Sequence, residues 1–169
     1  MIRGEQTFLR PATDDDLDLL AGWLADPEVY RWWEGRPLSR EEVADVYTGR
    51  RRPEVEPFVI EADGVPVGYL QCWRRTGASG GIDLFLVPEE RGKGLGPDAA
   101  RAASSFLLDR RGWTEVTVDP LVDNLRAIRA FERAGFLPDG EELDDETGKR
   151  VLRMILRRKV SDEAASSDP

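Results

Sequence analysis

The pattern of apolar and polar residues predicts helices near the start of the chain. Apolar residues recur at helical spacing over 17–24. Three consecutive aspartates precede them and suit the positive N-terminal end of a helix. Ser39 and Glu42 form the capping-box signature with which a second helix begins. Ahead of both helices, residues 7–10 are predicted to form a short strand.

Strand patterns dominate the middle of the chain. Two predicted strands, 57–62 and 65–73, flank an Asp-Gly pair that is typical of a hairpin turn. The glycine-rich residues 77–81 are expected to form a flexible break. A largely apolar run at 82–87, interrupted only by Asp83, predicts the next strand.

Strands and helices alternate in the second half. The pattern predicts a helix over 97–110, a strand over 114–119 and a helix that begins at Asn124 and ends at Gly135. A final hairpin is expected within 143–156. The order of the predicted elements is helices first and strands later, with two strand–helix units between them. This order predicts an α/β (α+β) fold with a mixed sheet.

The length of the chain predicts a single domain. The sequence has 169 residues, which one domain accommodates comfortably. We expect the domain to span 1–160. The small, polar and acidic residues 161–169 are expected to be a disordered tail.

Composition narrows the possible partners and locations. One cysteine, Cys72, excludes an intrachain disulfide framework and offers no metal-binding spacing, so no metal is expected. Thirty-three acidic residues against 24 basic ones, a net charge of −9, argue against nucleic-acid binding. No apolar stretch approaches the length of a membrane span and 1–10 lacks a signal-peptide pattern, so no membrane association and a cytoplasmic location are expected.

The absence of histidine limits the available chemistry. Histidine is the commonest general base in enzymes, and this chain has none. A carboxylate, a tyrosine or water must therefore accept any proton that a reaction releases.

A glycine-rich turn between a predicted strand and a predicted helix carries the strongest chemical signal. Its residues are Arg91, Gly92, Lys93, Gly94, Leu95 and Gly96. Such glycines let a ligand approach the backbone N–H groups, and the helix N-terminus adds partial positive charge. A tight turn alone would also favour glycine, but three alternate glycines favour a pyrophosphate site. Pro97 after Gly96 excludes a nucleotide-hydrolysing P-loop, and the glycine spacing differs from the dinucleotide fingerprint.

These motifs resemble the GNAT superfamily of N-acetyltransferases. Arg91-x-x-Gly94-x-Gly96 is similar to the loop that binds the acetyl-CoA pyrophosphate in that family, and a family helix is similar to Asn124-x-x-Ala127-x-x-x-Phe131-x-x-x-Gly135-Phe136. A closer resemblance is to the aminoglycoside 6′-N-acetyltransferases. It is carried by Trp32-Trp33, Gly68-Tyr69-x-Gln71, Gly81-Ile82-Asp83, Gly92 to Gly96, Asp119-Pro120, Asn124 to Arg129 and Ala134-Gly135-Phe136.

The resemblance implies a fold and a cosubstrate. The GNAT fold has a central mixed, mostly antiparallel twisted sheet of about six to seven strands, flanked by about four helices. Acetyl-CoA is the implied cosubstrate. The residues expected to bind it are Leu86, Val87, Arg91, Gly92, Lys93, Gly94, Leu95, Gly96, Asn124, Ala127 and Phe131.

The resemblance also implies roles in catalysis. Asp83 matches the family aspartate that accepts the amine proton, the backbone N–H near Leu86 is expected to polarise the thioester carbonyl, and Val87 to pair with the pantetheine arm. Asn124 is either a helix cap or a pantetheine ligand. Phe131 stands where many members have a tyrosine that protonates the thiolate, so the thiolate either leaves unaided or is protonated by another group such as Tyr69.

The substrate side is expected to involve Trp32, Trp33, Tyr69, Gln71, Asp83 and Asp119. Asp119 also suits a plain turn before Pro120, and the two tryptophans also suit the core. Residues 139–146 hold six acids and form either a solvated loop or a surface that attracts a polycation. The short, initially basic segment 74–81 departs from the longer acidic loop of the aminoglycoside enzymes.

Three functions remain open on these grounds. The first is acetylation of a small cationic amine, such as an aminoglycoside-like, polyamine or amino-acid-derived compound, by a monomer or homodimer. The second is acetylation of a protein lysine or N-terminus. The third is a non-catalytic acyl-CoA-binding sensor.

Overall fold

The computed structural model describes residues 1–159, so the predicted tail at 161–169 lies outside the described residues. Residues 1–159 form eight strands and five α-helices. The strands are β1 (Ile2–Arg3), β2 (Phe8–Pro11), β3 (Val55–Ala62), β4 (Val65–Thr76), β5 (Ser79–Leu86), β6 (Glu115–Val118), β7 (Leu137–Leu143) and β8 (Arg150–Arg157). The helices are α1 (Leu17–Leu24), α2 (Pro27–Tyr30), α3 (Arg40–Tyr47), α4 (Leu95–Ser105) and α5 (Leu125–Ala134).

All eight strands join one mixed sheet in the order β1-β2-β3-β4-β5-β6-β8-β7. Every neighbouring pair is antiparallel except β5 and β6, which run parallel. The predicted mixed, mostly antiparallel sheet is confirmed. It has one strand more than expected because the short β1 adds to the edge of the sheet, and one helix more because Asp26 caps the single-turn α2.

The parallel strands β5 and β6 separate after three residue pairs. Register pairs join Ser79 to Glu115, Gly80 to Val116 and Gly81 to Thr117, and the remaining residues of β5 have no partner on that side. This leaves an unpaired strand edge inside the sheet, where backbone donors and acceptors are available to a ligand.

Successive residues of the central strands pack on opposite faces of the sheet, as strand geometry requires. Leu70 and Ile82 face α4 and α5, whereas Tyr69 and Phe85 face α1, α2 and α3. Cys72 lies buried in the first of these clusters, as predicted for a small core residue. The sheet therefore has a helical layer on each face.

The local capping signals are confirmed. The Ser39 hydroxyl accepts from the Glu42 N–H, and the Glu42 carboxylate accepts from the Ser39 N–H, at the start of α3. Asn124 Oδ1 accepts from the Ala127 N–H at the start of α5, and Gly135 ends that helix in the left-handed conformation.

The prediction of a flexible break at 77–81 is wrong. The segment from Ser79 onward belongs to β5, and the turn is confined to the two residues before it. A Cβ on Gly80 would collide with the Trp113 ring, and one on Gly81 would collide with the Trp73 ring. These glycines therefore permit close aromatic packing on a strand.

Among residues 1–159, no helix is long and apolar enough to cross a membrane.

Candidate active site

Two cavities meet at the unpaired edge of β5. The first has a volume of about 350 Å³ and lies against the turn before α4 and the exposed side of α5. The second has a volume of about 460 Å³ and lies between the sheet, α3 and the β7–β8 hairpin. Five residues line both cavities: Trp32, Trp33, Leu84, Asn124 and Ala127. A molecule in one cavity can thus contact a molecule in the other.

The first cavity combines glycines with positive charge. Gly92, Gly94 and Gly96 line it, and Gly94 caps α4 in the left-handed region with φ +83°. Its charged lining residues are all arginines: Arg91, Arg126, Arg129 and Arg133. The glycine turn and Arg91 were predicted from sequence, whereas the three arginines on α5 were not. Backbone donors at a helix N-terminus together with four guanidinium groups suit a polyphosphate ligand.

Buried polar contacts hold the turn in place from behind. Asp98, in the first turn of α4, is 2% exposed. Its carboxylate accepts from the backbone N–H groups of Glu5, Gln6 and Thr7 at 2.9–3.0 Å, and from the Thr7 hydroxyl at 2.7 Å. These bonds attach the N-terminal segment to the helix whose N-terminus borders the first cavity.

The free backbone groups on β5 belong to alternate residues. The Val87 N–H donates to the Val67 oxygen on β4. Because successive residues of a strand present their polar groups to opposite sides, Leu84 and Leu86 present theirs to the unpaired edge. The Leu86 oxygen accepts from Arg91 Nε at 3.2 Å, which shows the same orientation.

Four residues predicted for the cosubstrate lie away from the first cavity. Both backbone groups of Val87 are used internally, since its oxygen accepts from the Glu90 N–H. Lys93 Nζ pairs with Glu90 at 3.0 Å. The Leu95 side chain is buried in the core because it begins the buried face of α4. Phe131 lines the second cavity and packs against Phe136.

Asp83 lies where the second cavity meets the sheet. It is opposite Gln71 on β4, and Gln71 Nε2 donates to Asp83 Oδ2 at 2.9 Å. Burial raises the pKa of Asp83 to about 7; the Gln71 hydrogen bond opposes this rise, and the negative charge of Asp119 adds to it. This carboxyl can therefore exchange a proton near neutral pH.

Tyr69 forms a hydrogen bond to Gln71 from within the core. Its hydroxyl donates to Gln71 Oε1 at 3.1 Å, and its side chain is fully buried. Tyr69 lines neither cavity, in contrast to its predicted contact with substrate. Gln71 does line the second cavity, so a chain of hydrogen bonds from Tyr69 through Gln71 orients Asp83.

The paired tryptophans have different environments. The Trp33 ring packs against Phe85 and Tyr69 with centroids 5.0 and 5.9 Å apart, and its Nε1 donates to the Tyr47 hydroxyl at 2.9 Å. Trp32 does not join that cluster, and the Arg31 guanidinium lies 4.9 Å from its ring centroid. Trp33 is thus part of the core with an edge in both cavities, whereas Trp32 lines both cavities without joining that core cluster.

The second cavity is acidic. Its carboxylates are Glu34, Asp83, Asp119, Asp144 and Glu146, and its basic residues are Arg51 and Lys149. Burial and the nearby acids Asp144 and Glu142 raise the pKa of Asp119. The acidic run at 139–146 forms most of β7 and the turn after it, so it is not simply a loop. Clustered carboxylates of this kind attract ammonium groups.

Several lining residues of the second cavity escaped prediction from the sequence. Trp73 follows Gln71 by two positions on β4, so the two-residue period of a strand was a usable signal for it. Tyr47 and Glu34, whose side chains hydrogen-bond to each other, come from α3 and the preceding loop. No local pattern connects those two residues with β5.

Comparison with known proteins gives consistent results. The Acetyltransferase (GNAT) domain family matches residues 12–142. The chain is 33% identical over 154 residues to an aminoglycoside N(6′)-acetyltransferase type 1 of Klebsiella pneumoniae, covering 80% of this chain and 76% of that protein. It is 27% identical over 142 residues to a spermidine N(1)-acetyltransferase of Escherichia coli K12, covering 79% and 74%. The solved structure of AAC(6′)-Ib with paromomycin and acetyl-CoA aligns with TM-score 0.83 and 29% identity, covering 98% of this chain and 100% of that one.

Proposed function

The chain belongs to the GNAT acetyltransferase family, and from that premise we propose that it transfers the acetyl group of acetyl-CoA to the primary amine of a small cationic substrate. One observation carries the proposal: a basic, glycine-lined cavity and an acidic cavity share a wall at Leu84, next to Asp83. This arrangement brings an anionic cosubstrate and a cationic acceptor together at one point.

The first cavity fits acetyl-CoA, which supplies an activated acetyl thioester. The turn from Gly92 to Gly96 offers backbone donors to the pyrophosphate at the start of α4, and Arg91 lies beside it. The pantetheine arm is a chain of amides, and the N–H and C=O groups of Leu86 face the edge along which it would run, with the C=O also accepting from Arg91 Nε.

We assign the N–H that polarises the acetyl carbonyl to Leu84, which lies two residues earlier in β5 than the expected Leu86. Both groups face the unpaired edge, but only Leu84 lines both cavities. A donor at the junction stabilises the negative charge that develops on the carbonyl oxygen during attack.

Asp83 is the proposed general base. An alkylamine with a pKa near 10.4 is neutral in only about one of 2,500 molecules at pH 7, so removal of its proton is part of the barrier. A carboxylate whose pKa is raised to about 7 accepts that proton more readily than an ordinary aspartate. Gln71 and Tyr69 keep it oriented toward the cavity.

The leaving thiolate has no tyrosine beside it. Within residues 1–159, no tyrosine lines the first cavity, and the hydroxyl of buried Tyr69 is engaged by Gln71. A thiol has a pKa near 8.5, so its thiolate is a tolerable leaving group without a proton donor. We therefore propose unaided departure rather than protonation by Tyr69.

The acidic cavity supports an acceptor with more than one ammonium group. The relatives named above act on aminoglycosides and on spermidine, both of which are polycations. The short segment at 74–81 lacks acids, but Asp144 and Glu146 bring carboxylates to the same cavity from the β7–β8 turn. Both cavities are formed by one chain, so a monomer or a homodimer would contain complete sites.

A thiol-release assay tests the proposal directly. Acetyl-CoA is mixed with the protein and a panel of aminoglycosides, polyamines and basic peptides. We expect turnover with one or more small polycations and none with the peptides. Turnover with peptides alone would favour acetylation of a protein, and binding of acetyl-CoA without any turnover would favour a sensor.

A further inference from the structure

A row of arginines extends along the outer part of the first cavity. Arg126, Arg129 and Arg133 are spaced three and four residues apart on α5, so they lie on one face of that helix. All three are exposed and line the cavity, and Arg91 faces them from the turn before α4. The cavity therefore collects four positive charges in a chain whose net charge is −9.

These guanidinium groups lack acidic partners. Ten other arginines lie within 4.0 Å of a carboxylate, but within the described part of the chain none of these four does. Burial and the nearby charge of Arg126 lower the pKa of Arg91. Unpaired like charges around one cavity repel each other, and a bound polyanion relieves that repulsion.

Helix stability accounts for only one end of the row. Arg133 lies in the last turn of α5, where a positive charge is favourable. Arg126 lies in the first turn, where the helix dipole disfavours a positive charge and where no acidic residue offsets it. Helix stability therefore does not explain the position of Arg126.

The row lies at the outer end of the cavity. Asn124 and Ala127, near the start of α5, line the junction at which the acetyl group must lie, whereas Arg129 and Arg133 line only the first cavity. Arg126 is close enough to Arg91 to lower its pKa, and both line the first cavity, so these two belong with the pyrophosphate turn. Arg129 and Arg133 remain for a further anion on the same ligand.

We propose that Arg129 and Arg133 bind the phosphate on the ribose 3′ position of CoA. The inference rests on the proposed function, since it assumes that CoA is the ligand of this cavity. Two guanidinium groups on successive turns can hold a dianionic phosphate through charge-assisted hydrogen bonds. The protein would then discriminate CoA from 3′-dephospho-CoA by this site alone.

Calorimetric titration with CoA and with 3′-dephospho-CoA tests the proposal. We expect the unmodified protein to bind CoA about tenfold or more tightly than the dephospho form, because charge-assisted bonds are lost. In Arg129→Gln/Arg133→Gln this preference should fall below about threefold, with little change in the affinity for 3′-dephospho-CoA. Arg110→Gln removes an exposed arginine outside the cavity and should leave the preference unchanged.

The outcomes separate this inference from the proposed function. Equal binding of the two ligands by the unmodified protein overturns the inference alone, as does an equal loss of affinity for both ligands in the double variant. Failure of the unmodified protein to bind either ligand overturns the proposed function as well. Both substituted arginines are exposed, so thermal melting should show that the variants fold normally.

Discussion

At the scale of single residues, the chemistry depends on a carboxyl group whose environment changes its acidity. Asp83 is held by Gln71, which Tyr69 holds in turn, and burial raises the pKa of Asp83 to about 7. A surface aspartate would be almost fully ionised at neutral pH and a weak base. The hydrogen-bonded position in the sheet therefore makes this residue suitable for accepting a proton.

Replacing Asp83 with asparagine should separate catalysis from binding. The amide retains an oxygen that can accept from Gln71 but cannot take up a proton, so kcat should fall by about 10²- to 10⁴-fold. The affinity for CoA, measured by calorimetry, should not change. Asp109→Asn, at an exposed position outside both cavities, is the matched control. A loss of kcat below tenfold would show that water or another carboxylate accepts the proton.

The pH dependence of the rate should report the same group. Asp83 acts as a base only when ionised, so kcat/KM should rise with pH up to about 7, the raised pKa of this carboxyl, and then rise less steeply. Steady-state rates between pH 5 and 9 measure this rise, which is the lower limb of the pH profile. A rate that is independent of pH below 7, or the same lower limb in Asp83→Asn, would contradict the assignment.

The same pKa predicts a stability effect. The folded-state pKa lies above the ordinary value of 3.8, so the protonated carboxyl stabilises the fold at low pH and this stability is lost as pH rises through about 7. Asp83→Asn should therefore be more stable than the unmodified protein at pH 8, by roughly 1–3 kcal/mol, and not at pH 4. Urea denaturation at the two pH values measures the difference. Equal stability of the two proteins at pH 8 would exclude a raised pKa.

At the scale of elements, the turn before α4 combines a backbone requirement with a ligand site. A Cβ added to Gly94 would have Gln6 Nε2 as its nearest neighbour, at 3.6 Å, so the protein has space for a side chain there. The backbone φ of +83° nevertheless disfavours any residue other than glycine. The first cavity lies directly against this position. Substitution here thus affects both the turn and the approach of a ligand.

Gly94→Val should abolish stabilisation by CoA. At a hundred times its dissociation constant, a ligand stabilises a protein by about 2.7 kcal/mol, which a thermal melt detects. Gly112→Val provides the control, since Gly112 also has a positive φ, of +70°, but lies outside the first cavity. Both variants should melt at lower temperature than the unmodified protein, and only Gly112→Val should respond to CoA. A normal response in Gly94→Val would place the pyrophosphate elsewhere.

At the scale of the whole molecule, the acidic chain separates its charges between two cavities. The first cavity is lined by four arginines and by no carboxylate of the described chain, whereas the second has five carboxylates and two basic residues. The carboxylates come from the loop after α2, from β5, from the residue that follows β6, and from the β7–β8 turn. Only the folded chain brings these segments together around one acceptor.

Glu146→Gln should weaken binding of the acceptor without affecting the cosubstrate. Glu146 is an exposed lining residue, so its loss should raise KM for a polyamine by about two- to fivefold, and less at high salt. Asp145→Asn removes the same charge from the adjacent residue, which does not line the cavity, and should have a smaller effect. Equal effects of the two variants on KM would indicate long-range attraction rather than contact.

Much of the fold and part of the site could be predicted because their signals are local in the chain. The capped starts of α3 and α5, the glycine that ends α5 and the glycine turn before α4 each depend on residues within one or two turns of each other. Gln71 and Asp83 could be singled out, and they do lie opposite each other. Local geometry requires particular residue types at such positions, and those types can be read directly.

Tertiary structure alone decided which residues share a cavity. The side on which Leu84, Leu86 and Val87 present their N–H groups follows from strand register, which the hydrogen bond from Val87 to β4 reveals. Tyr69 and Gln71 share one face of β4, but packing against Tyr47 and Phe85 buries Tyr69 outside both cavities. The arginines of α5 and the carboxylate of Glu146 reach the cavities only through packing between distant segments. The spacing of a motif reflects contacts between residues that are close in sequence. Charge and burial at a site depend on contacts between residues that are distant in sequence.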